Sequence, residues 1–394
     1  MTLSRRKFVQ TAGIGAGAAL TGSIWGRGRE NSIWSAIEPD LQAVERGVIC
    51  IASNENPVGP GKAVLDSLRT LLEGGARPGR YSNQSGQLTE AICAHFKVKP
   101  ENVLLSEGST EILRAATQVF TSKTKALVGT IPTYEECAGY AELLGHPVKG
   151  VSLDSAFKLD VDKMAAAAKG AGLVFYCNPN NPTATYVGAK ATRAFLAKVN
   201  STSPETTVLV DEAYFDYVTD PDHETHIPIA VENPRVIVAR TFSKAYGMAG
   251  LRQGYAIAHP ETIKKMREWC AASGTGSLNV FGMAAATVAI AQDSSFTTNE
   301  RNRNKAVRDM ATKWFADRGM KPTDCQANFM FVDIGTPAKA FRDACRAKGV
   351  MVARDFPPFE KTHARITLGT MEEMTKAVQV FGEVLGKKTT TAAA

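Results

Sequence analysis

The stretch NVLLSEGSTEILRAATQVFTSKTKALVG, residues 102–129, decides the fold. Asn102–Ser106 is a short apolar run, Glu111–Phe120 places apolar side chains at helical spacing, and Lys125–Gly129 is short and apolar again. That order is a strand–helix–strand unit, and a crossover helix returns the second strand parallel to the first. The same alternation continues through strand-like runs at Leu173–Cys177, Thr207–Val210, Val236–Ala239 and Gly254–Ala258. Helical periods occur at Leu88–Phe96, Tyr134–Leu144 and Ala189–Lys198. Strands alternating with helices predict an α/β layer structure on a largely parallel sheet. A long helical stretch, Asn279–Asp317, then leads to an α+β segment with strands at Asn328–Asp333 and Arg365–Gly369 and helices at Pro337–Lys348 and Glu372–Leu385. The expected organisation is an N-terminal arm (1–36), a large domain (37–290), a smaller C-terminal domain (291–386) and a disordered tail (387–394). Residues 48–60 are expected to pack back onto the smaller domain.

With 394 residues, 44% hydrophobic and 22% charged, the chain has the composition of a globular protein with a substantial core. The formal charge of +7 is concentrated at the ends. Residues 1–30 carry +4 and the tail adds Lys387 and Lys388, leaving +1 for residues 31–386. A nearly neutral body without a basic stripe argues against nucleic-acid binding. Seven cysteines are scattered without a C-x-x-C pair, which is neither a disulfide framework nor a zinc site. His223-x-x-His226 has no third ligand nearby and reads as a solvated loop, so no metal is expected.

Chemistry concentrates in three blocks. In Thr241-Phe242-Ser243-Lys244 and the following residues to Arg252, a lysine stands among hydroxyls in a Gly-containing loop just beyond a strand. Such a lysine is a candidate to form an imine with a carbonyl cofactor, and Thr241, Ser243 and Arg252 could surround a phosphate. Alone, it would be a solvated surface charge. Cys177-Asn178-Pro179-Asn180-Asn181-Pro182-Thr183-Ala184 is a turn cluster after an apolar strand, and Val208-Leu209-Val210-Asp211-Glu212-Ala213-Tyr214 ends a buried strand on an acid. The carboxyl ends of strands in an open α/β sheet face the ligand crevice, and a carboxylate buried there needs a cationic partner.

In this order and spacing the blocks resemble the fold type I pyridoxal-phosphate aminotransferases (class I/II), and within them the histidinol-phosphate aminotransferase group. Further matching residues are Asn54-Glu55-Asn56-Pro57-x-Gly59-Pro60, Arg80-Tyr81, Gly108-Ser109-Thr110-Glu111, Pro132-Thr133-Tyr134 and Ala364-Arg365-Ile366-Thr367-Leu368-Gly369-Thr370. The resemblance runs from Ile49 to the end of the last helix. It implies a mostly parallel seven-stranded sheet with a smaller α+β domain, and pyridoxal 5'-phosphate as cofactor. Lys244 would hold that cofactor covalently and serve as the base. Asp211 would pair with the ring nitrogen, Asn181 and Tyr214 with the ring 3-oxygen, and Tyr134 would stack on the ring. Backbone N–H groups of Ser109 and Thr110 at a helix start, with Thr241, Ser243 and Arg252, would hold the phosphate. Tyr81 would reach in from the second chain of a homodimer with a shared active site. Arg365, Arg354 and Asn54 would contact substrate, Arg365 through the α-carboxylate and Arg354 through a substrate phosphate.

The implied reaction moves an amino group between an amino acid, histidinol phosphate-like or aromatic, and a 2-oxo acid. A decarboxylase of the threonine-phosphate type and a non-catalytic cofactor-binding module are the alternatives. Ala52, Thr110 and Ala184 depart from the group's usual residues. Ser4-Arg5-Arg6-Lys7-Phe8, followed by the mild apolar stretch Thr11–Trp25, resembles a bacterial twin-arginine export signal. It implies the twin-arginine translocase as a partner and a periplasmic or exported location. The protein would be membrane-tethered if the signal stays uncleaved, and cytoplasmic if the arginine pair is not a signal.

Overall fold

The computed structural model describes residues 47–74, 79–81, 84–270, 277–292 and 294–386. The arginine pair of the N-terminal arm and the tail 387–394 lie outside the described residues. Eleven strands are found among those described: β1 Ile49–Ile51, β2 Val103–Ser106, β3 Leu127–Ile131, β4 Val148–Ser152, β5 Leu173–Cys177, β6 Thr207–Asp211, β7 Val236–Thr241, β8 Gly254–Ala258, β9 Phe329–Asp333, β10 Val350–Val352 and β11 His363–Thr367. Seven of them form one sheet in the order β2-β8-β7-β6-β5-β3-β4, in which β8 runs antiparallel to both its neighbours and β7, β6, β5, β3 and β4 run parallel.

Every residue of β5, β6, β7 and β8 is buried, which is why these strands read as unbroken apolar runs. Successive side chains serve opposite faces. Val174, Tyr176, Val208, Val210 and Val238 enter one core, while Leu173, Phe175, Leu209, Ile237 and Ala239 enter another. Strand β4 was not anticipated, because on this sheet edge only Val151 of its five residues is buried and Lys149 points to water. The expected helix from Asn279 to Asp317 is two helices, Val280–Ala291 and Ser295–Ala316. Gln292 takes an extended backbone, with ψ 153°, and interrupts the hydrogen-bond ladder between them. The first packs against the helices Lys62–Glu73 and Gln84–Phe96. Its nearly all-apolar sequence and the mixed sequence of its successor share no common face, so one helix could not serve both.

Beyond it the buried side chains change core, from Ile290 in the first cluster to Val307 in a second built on β9 and the helix Met371–Leu385. There β9 pairs antiparallel with β11, and β1 pairs parallel with β10, tying residues 49–51 to residues 350–352.

One feature of the large sheet positions the site. After β3 the chain adds β4 on one side, and after β5 it adds β6 and β7 on the other. Strands β3 and β5 pair only at Leu127↔Leu173 and Val128↔Val174, so their carboxyl ends separate. Reversal of strand order opens a crevice at that edge.

Candidate active site

The turns after β3, β5, β6 and β7 all open at this carboxyl edge, delivering Tyr134, Asn181, Asp211 and Lys244. The reversed strand β8 begins there, just after Arg252. The helix Ser109–Phe120 starts at the same edge, because β2 ends at Ser106 and Gly108 turns the chain with φ 74°. A Cβ at Gly108 would collide with the Arg252 guanidinium, and one at Gly254 with the Gly108–Ser109 backbone. Only glycine allows the helix start and the arginine to approach this closely.

Around that start lies a set of donors. Thr241 Oγ1 donates to Ser243 Oγ at 3.0 Å, and Arg252 Nη1 reaches Ser243 Oγ at 3.5 Å and the Ala249 carbonyl at 2.8 Å. Backbone N–H groups in the first turn of a helix have no partner within the helix, so Ser109 and Thr110 complete an anion cradle. Thr110 also hydrogen-bonds Tyr134, whose hydroxyl burial pushes up to about 12, so it stays a neutral donor.

Opposite the cradle, Asp211 at the end of β6 is buried. Its Oδ1 accepts the Ala213 N–H at 3.1 Å, while Oδ2 has the Cys177 thiol at 4.0 Å. Burial raises the Asp211 carboxyl to about 7, with the Ala213 bond and the Lys244 charge opposing. Such a carboxyl is ready to accept a cationic N–H. Lys244 donates from Nζ to the Ser53 carbonyl at 3.2 Å and lies 5.6 Å from the Tyr214 ring centre. Burial lowers its pKa from 10.5 to about 8, helped by Arg365 and Arg252 and resisted by Glu55 and Asp211.

Substrate-side residues arrive from the C-terminal core. Arg365 of β11, 9% exposed, donates from Nη1 to Asn181 Oδ1 at 2.8 Å and from Nη2 to the Ala52 carbonyl at 2.6 Å. Its Nε has no partner among the described residues, and burial lowers its pKa to about 10. Asn181 keeps its Nδ2 as a donor. Asn54 adopts φ 55°, accepts Thr367 Oγ1 at 3.0 Å and donates from Nδ2 to Tyr214 Oη at 3.1 Å, which leaves the Tyr214 proton to be donated elsewhere. Burial raises the Tyr214 pKa and keeps it neutral.

The structure therefore gathers Lys244, Asp211, Tyr214, Asn181, Asn54 and Arg365 into one set, with Ser109, Thr110, Thr241, Ser243 and Arg252 in the adjoining cradle. Tyr81 is 90% exposed, and Arg354 is engaged by Glu135. The loop reading of His226 needs correction. His226 is buried, and both its N–H and its ring Nδ1 meet Glu212 Oε1, at 2.9 and 3.2 Å. Glu212 Oε2 also takes Arg240 Nη2 at 2.8 Å. Burial would raise the Glu212 carboxyl, but Arg240 and the His226 bonds hold it down at about 2. This network clamps β6 to β7 one residue beyond Asp211. The acid beside Asp211 was visible in sequence, whereas its partners 14 and 28 residues on were not. Asn56, which donates to the Ala245 carbonyl at 2.9 Å and steadies the lysine loop, was visible only as part of its motif.

These residues fit pyridoxal phosphate: a glycine-lined donor cradle for its phosphate, a buried carboxyl for its ring nitrogen and a lysine of lowered pKa between them. Residues 46–381 match the family described as aminotransferase class I and II. The histidinol-phosphate aminotransferase of Moorella thermoacetica is 34% identical over 343 residues, 86% of each chain, and that of Bacillus velezensis is 32% identical over 86% of this chain and 92% of its own. The crystal structure of the histidinol-phosphate aminotransferase from Sinorhizobium meliloti, in complex with pyridoxal-5'-phosphate, superposes with a TM-score of 0.80 at 26% identity, covering 90% of this chain and 96% of that one. A cradle, lysine and buried acid at one sheet edge, within a match spanning most of the sequence, place the chain in the aminotransferase class I and II family of pyridoxal-phosphate-dependent enzymes.

Proposed function

We propose that this pyridoxal-phosphate-dependent aminotransferase exchanges an amino group between an amino acid bearing a free α-carboxylate and a 2-oxo acid. The observation that carries the reading is Arg365, buried and held by Asn181 and Ala52, with a further N–H unpartnered. A guanidinium desolvated in this way binds a carboxylate strongly and with fixed orientation.

Bound pyridoxal phosphate supplies the electron sink for the pair left when the substrate α-carbon loses its proton. Lys244 Nζ, neutral for a useful fraction of the time at pH 7, takes that proton. Asp211 would hold the ring nitrogen, Tyr214 and Asn181 would present donors to the ring oxygen, and Asn54 fixes the Tyr214 hydroxyl. Ser109, Thr110, Thr241, Ser243 and Arg252 would hold the phosphate. The names of the relatives put histidinol phosphate among the substrates to be tried. Ala52, Thr110 and Ala184, where the group usually has other residues, and a carboxylate site at Arg365 favour an amino acid over histidinol phosphate, which carries no carboxylate.

Pairing with a second chain, with Tyr81 entering its partner's site, and export of the folded protein through the twin-arginine route complete the reading. The purified protein is expected to be yellow, to trap its cofactor on Lys244 with borohydride, and to release a 2-oxo acid from an amino-acid panel. Arg365→Lys replaces a planar donor fork with a single ammonium that cannot match a carboxylate in a bidentate pair, so kcat/KM for α-amino acids should fall about 30-fold or more. A Lys244→Ala protein that still transaminates, or carbon dioxide released in place of oxo acid, overturns the proposal.

A further inference from the structure

Carboxylate recognition at Arg365 leaves a second pair of charges at the crevice unused. Glu135 follows Tyr134 directly, one residue ahead of the helix Glu136–Leu143, and Arg354 stands two residues beyond β10. Arg354 Nη2 donates to Glu135 Oε1 at 2.5 Å, and Nη1 donates to the Asp355 carbonyl at 2.9 Å. Both side chains remain open to water, 28% and 21% exposed. The pair adjoins the carboxylate site, since the guanidinium carbons of Arg354 and Arg365 lie 4.4 and 4.7 Å from the centre of one Phe356 ring. Phe356 belongs to an apolar cluster with Phe331, Phe157 and Phe359. Phe356 and Phe331 are buried, so beyond Arg365 the crevice offers an arginine that rests on Phe356 and is already matched by a carboxylate.

We propose that Glu135 sets the side-chain specificity of the enzyme: by occupying Arg354 it disfavours amino acids with a carboxylate or phosphate side chain and selects uncharged, aromatic or aliphatic ones. An anionic side chain approaching Arg354 must displace Glu135 or share the guanidinium with it at repulsive distance. An uncharged side chain leaves the pair intact and its charges matched. The inference rests on the transaminase reading above and names the substrate class of that same site.

The test compares holoenzyme and its Glu135→Gln, Glu135→Asp and Glu135→Gln/Arg354→Gln variants in two ways. One is kcat/KM for glutamate and O-phosphoserine relative to phenylalanine. The other is calorimetric binding of two unreactive acids, succinate and 3-phenylpropionate. Wild-type protein should prefer phenylalanine and 3-phenylpropionate. Glu135→Gln should raise the acidic-to-aromatic ratio at least tenfold in both measurements, Glu135→Asp should keep the wild-type order, and the double variant should lose the gain. A wild-type preference for the acidic ligands, or a Glu135→Gln ratio within threefold of wild type, overturns the inference. Protein that binds these acids but produces no 2-oxo acid from any donor overturns the transaminase reading, and the succinate to 3-phenylpropionate ratio then still decides the role of Glu135.

Discussion

In the cofactor-free protein, Lys244 should titrate near pH 8. Its ammonium loses water on burial and faces the like charges of Arg365 and Arg252, against which Glu55 and Asp211 act more weakly, lowering the pKa from 10.5 to about 8. At pH 7 about 9% of Lys244 is then the neutral amine, against about 0.03% for a lysine at 10.5, roughly a 300-fold gain in the reactive form. Trace acetylation across pH 6 to 10, read by mass spectrometry on the Lys244 peptide, reports this titration directly, with the exposed Lys264 and Lys265 as internal references. Two substitutions separate the causes. Arg365→Leu removes a like charge and should move the midpoint up towards 10.5, whereas Asp211→Asn removes an opposite charge and should move it below 8. A Lys244 midpoint near 10.5, or two variants shifting in the same direction, would show that the site does not activate this lysine as described.

Glu212→Gln strands the Arg240 guanidinium in the interior with Asp216 at 3.6 Å as its remaining carboxylate partner among the described residues. Loss of one member of such a pair costs about 3–5 kcal/mol, so the thermal midpoint should fall by roughly 4–7 °C for a chain of this size. Because the Glu212 pKa is depressed from 4.5 to about 2, its contribution is complete above pH 4.5 and disappears as pH falls towards 2. The difference in midpoint between wild type and variant should therefore narrow as pH falls from 4.5 towards 2 in scanning calorimetry, and a constant gap contradicts the assignment. Gly108→Ala drives a methyl group into Arg252 at a residue with φ 74°. Cofactor retention in equilibrium dialysis should weaken about tenfold or more, the loss of one charged hydrogen bond, and retention equal to wild type argues against the cradle.

Much of the sheet was legible because its central strands are covered on both faces. Leu173–Cys177 and Gly254–Ala258 were read at their observed bounds, since full burial removes polar residues and leaves continuous apolar runs. Strand β4 was not, because a half-exposed edge strand needs few apolar residues. The helix expected from Tyr134 begins at Glu136, and the shift places Tyr134 and Glu135 in the loop that faces the crevice. Lys244, Asp211 and Asn181 were readable as neighbours at one sheet edge because local sequence records each strand and its end. The Arg240–Glu212–His226 clamp and the Arg354–Glu135 pair were not readable, because each joins residues that only folding makes neighbours.

The division follows from the range of the forces involved. Strand and helix identity, the glycine at the start of the Ser109–Phe120 helix and the side chains carried at the strand ends are local matters of burial period, backbone freedom and functional group, and the order of residues along the chain states them. Charge state and partner choice are set by three-dimensional surroundings. Lys244 has a lowered pKa because distant segments half-bury it and bring Arg365 and Arg252 near it. Arg354, expected to meet a substrate phosphate, instead meets Glu135, a residue 219 positions earlier in the chain. Desolvation and Coulomb interactions depend on distance through space, and that distance exists only once the strands from both cores have met at the crevice.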